Sequence, residues 1–355
     1  MRVLIVRIGA MGDVLHAMPA VAALRERHPG WFIGWAIEPR WSGLLQIAGD
    51  PEDLTQGVGL ASGTIVRRGL VDRWYSVQAG AWRKRPLARG TMTDILSLRR
   101  LLRRERFDLC VDMQGALKSA VVGRMAGAKT LVGMAEPRER VARRFYGKRV
   151  ALTAEHVVEQ GCELLGAAVG EKLEPARVTL PMDARAEQWA DEVVGREQFC
   201  IISPGGGWGA KVWPAERLGQ VAAELGRDGV RTVVNASVGG SQEAEAVVAA
   251  SDGHARVVAC SVGQLIALTR RAAVVIAGDT GPLHLAAALE RPVVGIYGPT
   301  DPKRNGPYMA DYKTRSRVLR DAESVTSHKR TQETEAGMFR ISVEDVVAAA
   351  REMLA

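Results

Sequence analysis

The chain has 355 residues, of which 47% are hydrophobic and 25% charged. That is ordinary globular composition, which excludes collagen, coiled coil and wholesale disorder, and the length suits two domains. No apolar run approaches the roughly 18 residues that a membrane-spanning helix needs, and the formal charge of +8 favours an anionic partner or a basic solvated surface.

The first half opens on a strand, Val3 to Val6, within a run too charged and too short for a secretory leader. A glycine turn follows at Gly9-Ala10-Met11-Gly12-Asp13. A helix is predicted over 14–27, with Leu15, Met18, Val21, Ala22 and Leu24 at helical spacing, stopped by His28-Pro29-Gly30. Phe32 to Ile37 is the next strand, which makes a βαβ start and predicts a parallel sheet. Arg83, Lys84 and Arg85 read as a loop that Pro86 keeps from being a regular helix. A helix over 96–106, a strand over 107–112, a helix over 118–126, a strand over 130–133 and a helix over 156–165 follow. Residues 166–182 carry Pro175 and Pro181 without sustained periodicity and read as the interdomain linker.

The second half restarts the rhythm with a strand over 199–203 and the loop Pro204-Gly205-Gly206-Gly207-Trp208-Gly209. Helices are predicted over 214–225, 242–250, 262–270 and 281–289. Strands are predicted over 231–235, 256–258, 273–277 and 292–297. Residues 301–340 read as polar loop. A last helix over 342–354 opens on Ser342 with Asp345 three residues later, a capping box.

The charge is uneven. Between Arg67 and Arg106 twelve basic residues face three acidic ones, and a second cluster holds Arg138, Arg140, Arg143, Arg144, Lys148 and Arg149 against Glu139. A positive face of this kind suits nucleic acid, an acidic membrane or a phosphorylated substrate; a plain solvated surface accounts for it equally well. The four cysteines are widely spaced with no CxxC pair, which points to buried free thiols in a reducing compartment.

Two strand-to-helix junctions concentrate chemistry. At Gly9-Ala10-Met11-Gly12-Asp13, glycines permit close backbone approach and the helix start offers amide donors. The spacing is not the dinucleotide fingerprint, and on the residues alone Asp13 reads more readily as a helix cap than as a catalytic acid or base. At Gly278-Asp279-Thr280-Gly281-Pro282-Leu283-His284, an acid, a hydroxyl and a histidine gather where a buried strand meets a helix. Thr280 and the Gly281 amide form a candidate phosphate cradle at the carboxyl edge of a sheet. Lys211 follows the glycine loop and can reach a phosphate. P-loop, HExxH, GxSxG and clustered His/Cys patterns are absent, so no metal and no cofactor is expected.

MGDVLHAMPA (11–20), DMQGALKSA (112–120), KVWP (211–214), AGDTGPLHLAAAL (277–289) and YGPTDP (297–302) occur in the order and spacing of one family. The chain resembles the ADP-heptose–lipopolysaccharide heptosyltransferases, glycosyltransferase family 9. Trp82-Arg83-Lys84 and DMQGALKSA resemble the heptosyltransferase I branch, which adds the first heptose to the Kdo-lipid A core.

The resemblance implies an α/β GT-B fold: two Rossmann-like doubly wound domains facing each other across a cleft. The expected boundaries are 1–172 for acceptor binding, 173–341 for ADP-sugar binding, and 342–355 for a C-terminal helix packing back on the N-terminal domain. It implies inverting, metal-independent transfer with Asp13 as general base. Lys211, Glu243, Asp279, Thr280, Gly281 and His284 fall at donor positions, and Gly12, Arg83, Lys84, Gln114 and Lys118 on the acceptor side. Gly9 and Ala10 stand where some members carry serines, and Ser203 where many carry His or Asn.

The partners then expected are ADP-heptose, Kdo2-lipid A and the acidic cytoplasmic leaflet of the inner membrane, for a monomeric cytoplasmic enzyme that binds no nucleic acid. Heptosyltransferase II or another family 9 transferase is the neighbouring alternative. A basic nucleic-acid-binding protein is the alternative from another class, although only Trp74, Tyr75 and Trp82 offer stacking in the basic segment and no RNP, KH or zinc-finger pattern occurs.

Overall fold

A computed structural model describes residues 1–45, 69–237, 240–327 and 331–355. Arg67 and Arg68 of the first basic cluster, and Gly239 before Glu243, lie outside the described residues. The chain divides into two units, Met1–Pro181 and Met182–Ala355. The division falls inside the expected linker and later than the boundary expected at residue 172.

The first unit holds six parallel strands: β1 (Arg2–Val6), β2 (Phe32–Ile37), β3 (Arg73–Ser76), β4 (Leu109–Asp112), β5 (Thr130–Met134) and β6 (Lys148–Val150). Their spatial order is β3-β2-β1-β4-β5-β6. Val3 pairs with Ile33 on one side and Leu109 on the other. The order reverses between β1 and β4, because the chain builds outward from β1 twice. Helices α1 (Met11–Arg27) and α5 (Val157–Val169) pack together, as do α3 (Arg89–Arg104) and α4 (Leu117–Ala126). Strand side chains alternate between two layers, so Leu4 and Val6 share a core with Leu98, Leu102 and Ala120.

The second unit repeats the plan with β7 (Phe199–Ser203), β8 (Arg231–Ala236), β9 (Ala255–Ala259), β10 (Val274–Gly278), β11 (Val293–Tyr297) and β12 (Ser316–Arg320), ordered β12-β11-β10-β7-β8-β9. Here the reversal lies between β7 and β10, with Cys200 opposite Val274. Ile202 and Ile276 face a layer that includes α7 (Ala215–Arg227) and α14 (Val343–Leu354). Ile201 and Val275 face the opposite one, with α6 (Ala184–Val194), α9 (Val262–Arg271) and α10 (Gly281–Ala288). Both faces of each sheet are covered, which is why the central strands read as unbroken apolar runs. Cys110, Cys162 and Cys200 are buried and all four cysteines are free.

Three expectations change. The C-terminal helix is a layer of the second unit: Val346, Val347, Ala350 and Met353 enter its core against α7 and β10–β12. Its apolar stripe completes a sheet face that α7 and α8 (Gln242–Ala249) leave partly open. Residues 301–340 are not all loop; they contribute α11 (Pro302–Asn305), α12 (Tyr312–Arg315), β12 and α13 (Ala336–Arg340). Of Arg83, Lys84 and Arg85, expected in a loop, Arg83 and Lys84 form the end of helix α2 (Ala79–Lys84) and Arg85 its C-cap. Pro86 forces its predecessor Arg85 out of helical geometry (φ −138°, ψ 65°), so it ends the helix rather than preventing it.

The strands that the sequence leaves unassigned have a common cause. β3, β6 and β12 are sheet edges, with the sequences RWYS, KRV and SRVLR. Edge strands carry charge, which blocks sheet-to-sheet pairing and erases the apolar signal.

Candidate active site

In each unit the loops that leave the two strands flanking the reversal meet at the carboxyl edge of the sheet. This is where α/β sheets leave a crevice for ligands.

In the second unit, β7 leads through the glycine loop to a short turn, Gly209–Lys211, and β10 leads to Asp279. The Lys211 ammonium lies 2.5 Å from Asp279 Oδ2, and His284 Nε2 lies 2.9 Å from Oδ1 of the same carboxylate. Lys211 is 16% exposed, Asp279 8% and His284 4%. Burial alone pushes the Asp279 carboxyl up, but the hydrogen bonds and charges of His284 and Lys211 overcome it and hold the group well below the usual carboxylate range. Asp279 is therefore an anion at neutral pH whose charge is matched locally.

The ammonium also sits 4.8 Å from the centroid of the Trp208 ring. An ammonium has three N–H donors, so contact with Asp279 leaves donors for an anionic ligand. Thr280 is the N-cap of α10, and its Oγ1 is buried with no hydrogen-bond partner among the described residues. The first-turn amides of α10 have no intrahelical acceptor, and the dipole there favours negative charge. The assembly offers a cation, a hydroxyl and helix amides within one unit, which is the chemistry of diphosphate recognition.

The segment after residue 330, which the sequence reads as polar loop, braces this site. The Ala210 amide donates to the Thr331 carbonyl, the Glu335 amide to the Ala210 carbonyl, and Thr334 Oγ1 to the Val212 carbonyl. Gly209 is required there, since a Cβ would lie 1.8 Å from the Gln332 carbonyl oxygen. Glu243 is exposed in the first turn of α8, at the end of the neighbouring strand β8, and has no side-chain partner among the described residues. The structure places it on the same sheet edge without joining it to Lys211, Asp279 and His284.

In the first unit, β1 leads to Arg7 and β4 leads to Met113. Arg7 reaches across the reversal: it pairs with Asp13 Oδ1 at 2.8 Å, donates to the Asp13 carbonyl at 3.1 Å, and donates to the Met113 carbonyl. Asp13 Oδ2 accepts from the Ala10 amide at 3.1 Å. The helix starts at Met11, so Gly12 and Asp13 lie in its first turn, and Asp13 is 40% exposed. Asp13 thus caps the turn and also presents an oriented carboxylate to solvent.

Gln114 is 6% exposed and its Oε1 accepts from the Ile8 amide at 2.8 Å. It latches the two loops together. Behind it, Asp112 is fully buried and accepts from the Gln114 and Gly115 amides, the Ser119 hydroxyl and the Tyr146 hydroxyl at 2.8–3.1 Å. Burial raises the Asp112 carboxyl despite these four donors. Lys118 is exposed in the first turn of α4, and Arg83 and Lys84 are exposed at the end of α2; none has a side-chain partner among the described residues.

Arg7 and Asp112 were not singled out by the sequence. The signal was present: a lone cation directly after an apolar strand and before a glycine turn, and a lone acid closing a buried strand. Among the described residues no group of three or more His, Cys, Asp or Glu is placed to hold a metal ion.

The model of glycosyltransferase family 9 (heptosyltransferase) matches residues 95–336. Lipopolysaccharide heptosyltransferase 1 of Pseudomonas aeruginosa is 28% identical over 312 residues, covering 87% of this chain and 81% of that protein. Lipopolysaccharide heptosyltransferase 1 of Escherichia coli K12 is 28% identical over 324 residues, covering 87% and 91%. The solved structure of E. coli heptosyltransferase WaaC with ADP superposes with a TM-score of 0.77 at 24% identity, covering 99% of this chain and all of that one. The family 9 glycosyltransferase of Veillonella parvula superposes at 0.78 with 21% identity, covering 99% and 97%. The fold is theirs: two parallel-sheet α/β units of the GT-B kind.

Proposed function

The chain belongs to glycosyltransferase family 9, the heptosyltransferases, and on that premise we propose that it transfers heptose from ADP-L-glycero-β-D-manno-heptose to a Kdo residue of Kdo2-lipid A, with inversion. Curated relatives that align over most of the chain include the lipopolysaccharide heptosyltransferases 1 of P. aeruginosa and E. coli K12. E. coli WaaC has been solved with ADP and with ADP-2-deoxy-2-fluoro heptose. The observation that carries the donor assignment is the Lys211–Asp279–His284 cluster beside the N-terminus of α10.

The chemistry divides between the two units. The acceptor hydroxyl attacks the anomeric carbon as the bond from that carbon to the diphosphate breaks. The Asp13 carboxylate takes the hydroxyl proton, and Arg7 orients that carboxylate. Negative charge grows on the departing ADP, where the remaining Lys211 donors, Thr280 and the Gly281 amide stabilise it without a metal. Asp279 holds the ammonium in position, with His284 as its second partner. Glu243 is assigned to the nucleoside ribose. Arg83, Lys84 and Lys118, with Gly12 and the Gln114 loop, face the acidic acceptor.

No helix among the described residues is long and apolar enough to cross a membrane. The enzyme is proposed to work as a monomer on the cytoplasmic face of the inner membrane, attached peripherally. Incubation with ADP-heptose and Kdo2-lipid A should release ADP and add one heptose mass to the acceptor, and EDTA should leave the rate unchanged. Turnover only with a lipid A core that already carries heptose would move the chain to the heptosyltransferase II reaction.

A further inference from the structure

The helices α3 and α4 lie side by side on one layer of the first unit and carry the same mixed pattern on their outward sides. On α3, Leu98 and Leu102 point into the core, while Met92, Leu96, Arg99 and Arg103 follow each other at helical spacing on the outside. On α4, Leu117, Val121 and Arg124 do the same. Met92, Leu96 and Val121 are 50%, 43% and 38% exposed.

Between the helices lies an open depression of about 390 Å³ whose basic lining is Arg99, Arg103 and Arg124 and whose apolar lining includes Val121, Met125 and Phe145. It is placed at the C-terminal ends of α3 and α4. The Asp112–Gln114 turn and Lys118 belong to the opposite, N-terminal end of α4, so the depression is separate from the acceptor side of the site. Arg99, Arg103 and Arg124 have no carboxylate partner among the described residues. The one acid close to them in sequence at the end of α3, Glu105, is held by Arg2 and Arg73. The adjoining turn, Arg140–Phe145, extends the surface with exposed Arg140, Val141 and Arg144.

Unpaired guanidinium groups alone suit any polyanion. Their alternation with exposed aliphatic side chains narrows the choice. A nucleic acid would leave Met92, Leu96 and Val121 facing solvent, and the lining of the depression offers a single aromatic ring, Phe145, for base stacking. A bilayer surface satisfies both sets at once: phosphates take the guanidinium forks, and the aliphatic groups enter the headgroup–acyl boundary.

We propose that the α3–α4 face is the surface by which this protein docks on a bilayer, with Arg99, Arg103 and Arg124 taking the phosphates of anionic phospholipid headgroups. The proposal deepens the peripheral-membrane part of the function proposed above and locates it. It also gives the docking step a site of its own, independent of Asp13 and Lys211.

The test is co-sedimentation of the full chain with vesicles of phosphatidylethanolamine and phosphatidylglycerol, and with phosphatidylcholine alone. Wild type should bind the anionic vesicles and not the neutral ones. R99A/R103A/R124A should bind the anionic vesicles roughly a hundredfold more weakly, the factor expected for three surface cations. R99K/R103K/R124K should retain most of the binding, which also controls for folding. R185A/R196A/R231A, the same charge removed from exposed positions of the second unit, should bind as wild type. Turnover on detergent-dispersed acceptor should be equal for all four proteins. Wild-type affinity in R99A/R103A/R124A would overturn the site while leaving membrane association intact. Failure of wild type to bind any vesicle would overturn both. Loss of RNA binding in the triple alanine variant, with no vesicle binding by wild type, would make the face a nucleic-acid surface and overturn the proposal.

Discussion

Lys211 and Asp279 form an ion pair of 2.5 Å between two loops 68 residues apart in sequence, with both side chains largely withdrawn from water. The pair joins the loop after β7 to the loop after β10, so it closes the strand-order reversal of the second unit. A surface pair would contribute little. A buried one is costly to break from one side, because the survivor is left charged and unmatched.

Lys211→Ala should therefore have two separable effects. Affinity for ADP and ADP-heptose should fall together by about 10–100-fold, the worth of a charged hydrogen bond. Stability should fall by about 3 kcal/mol. Lys211→Ala with Asp279→Asn should recover much of the stability and none of the affinity. Calorimetric titration with ADP and urea unfolding measure the two, and recovery of affinity in the double variant would remove Lys211 from the donor site.

Asp279 also sets a pH dependence. Its carboxyl is held below its unfolded value, so its contribution to stability is complete above an unfolded pKa of about 3.9 and is lost as pH falls toward the folded value. The stability gap between wild type and Asp279→Asn should be smaller at pH 3 than at pH 5. Below pH 4 it should narrow by up to roughly 1.4 kcal/mol per unit. Urea unfolding at pH 5, 4 and 3 reads this directly, and a gap that widens over that range contradicts the ion pair.

Asp13→Asn should reduce turnover by about 10²–10⁴-fold while ADP-heptose affinity stays nearly unchanged. The stability cost should be about 1 kcal/mol or less, since the Arg7 pair is partly exposed and an amide can still accept from Ala10. Near-wild-type turnover in this folded variant would reduce Asp13 to the cap it also forms.

Gly209→Ala tests the brace behind Lys211. The new Cβ would meet the Gln332 carbonyl oxygen, a backbone atom that cannot swing aside. The turn should shift, costing about 1–3 kcal/mol and weakening ADP binding. Gly207→Ala, two residues earlier and in open space, should do neither. Equal behaviour of the two variants in melting and in ADP titration would mean that the 331–335 segment does not position Lys211.

Arg83→Ala with Lys84→Ala should raise the KM for Kdo2-lipid A and leave that for ADP-heptose unchanged. Both residues are exposed at the end of α2, so the double variant should melt as wild type does. The wild-type acceptor KM should rise with salt, because exposed charges are screened over about 8–10 Å at physiological ionic strength. An acceptor KM indifferent to both changes would leave these residues as solubilising surface.

The elements visible in the sequence are those whose signals are local. Val3–Val6 and Val293–Tyr297 are apolar on both faces because parallel strands are covered twice. Ser342 and Asp345 cap α14 through contacts three residues apart. The glycine turns at 9–13 and 278–281 mark helix starts that any folded neighbourhood would preserve. Two repeated α/β halves and the positions of Asp13, Lys211 and Asp279 at strand-to-helix junctions follow from such signals alone.

What only the tertiary structure decided is which of these residues meet. Gln114 accepts from Ile8 across 106 residues, and no periodicity announces that it is a latch rather than an exposed contact. The placement of α14 depended on which sheet face remained open, a property of the assembled unit. The edge strands β3, β6 and β12 carry charge in place of an apolar run, and the 331–335 brace is polar and held by hydrogen bonds to Ala210 and Val212, distant in sequence. Local backbone preference and apolar spacing are written residue by residue. Adjacency at a strand-order reversal exists only once two sheets have closed around their own first strands, and the chemistry proposed for this protein depends on that adjacency.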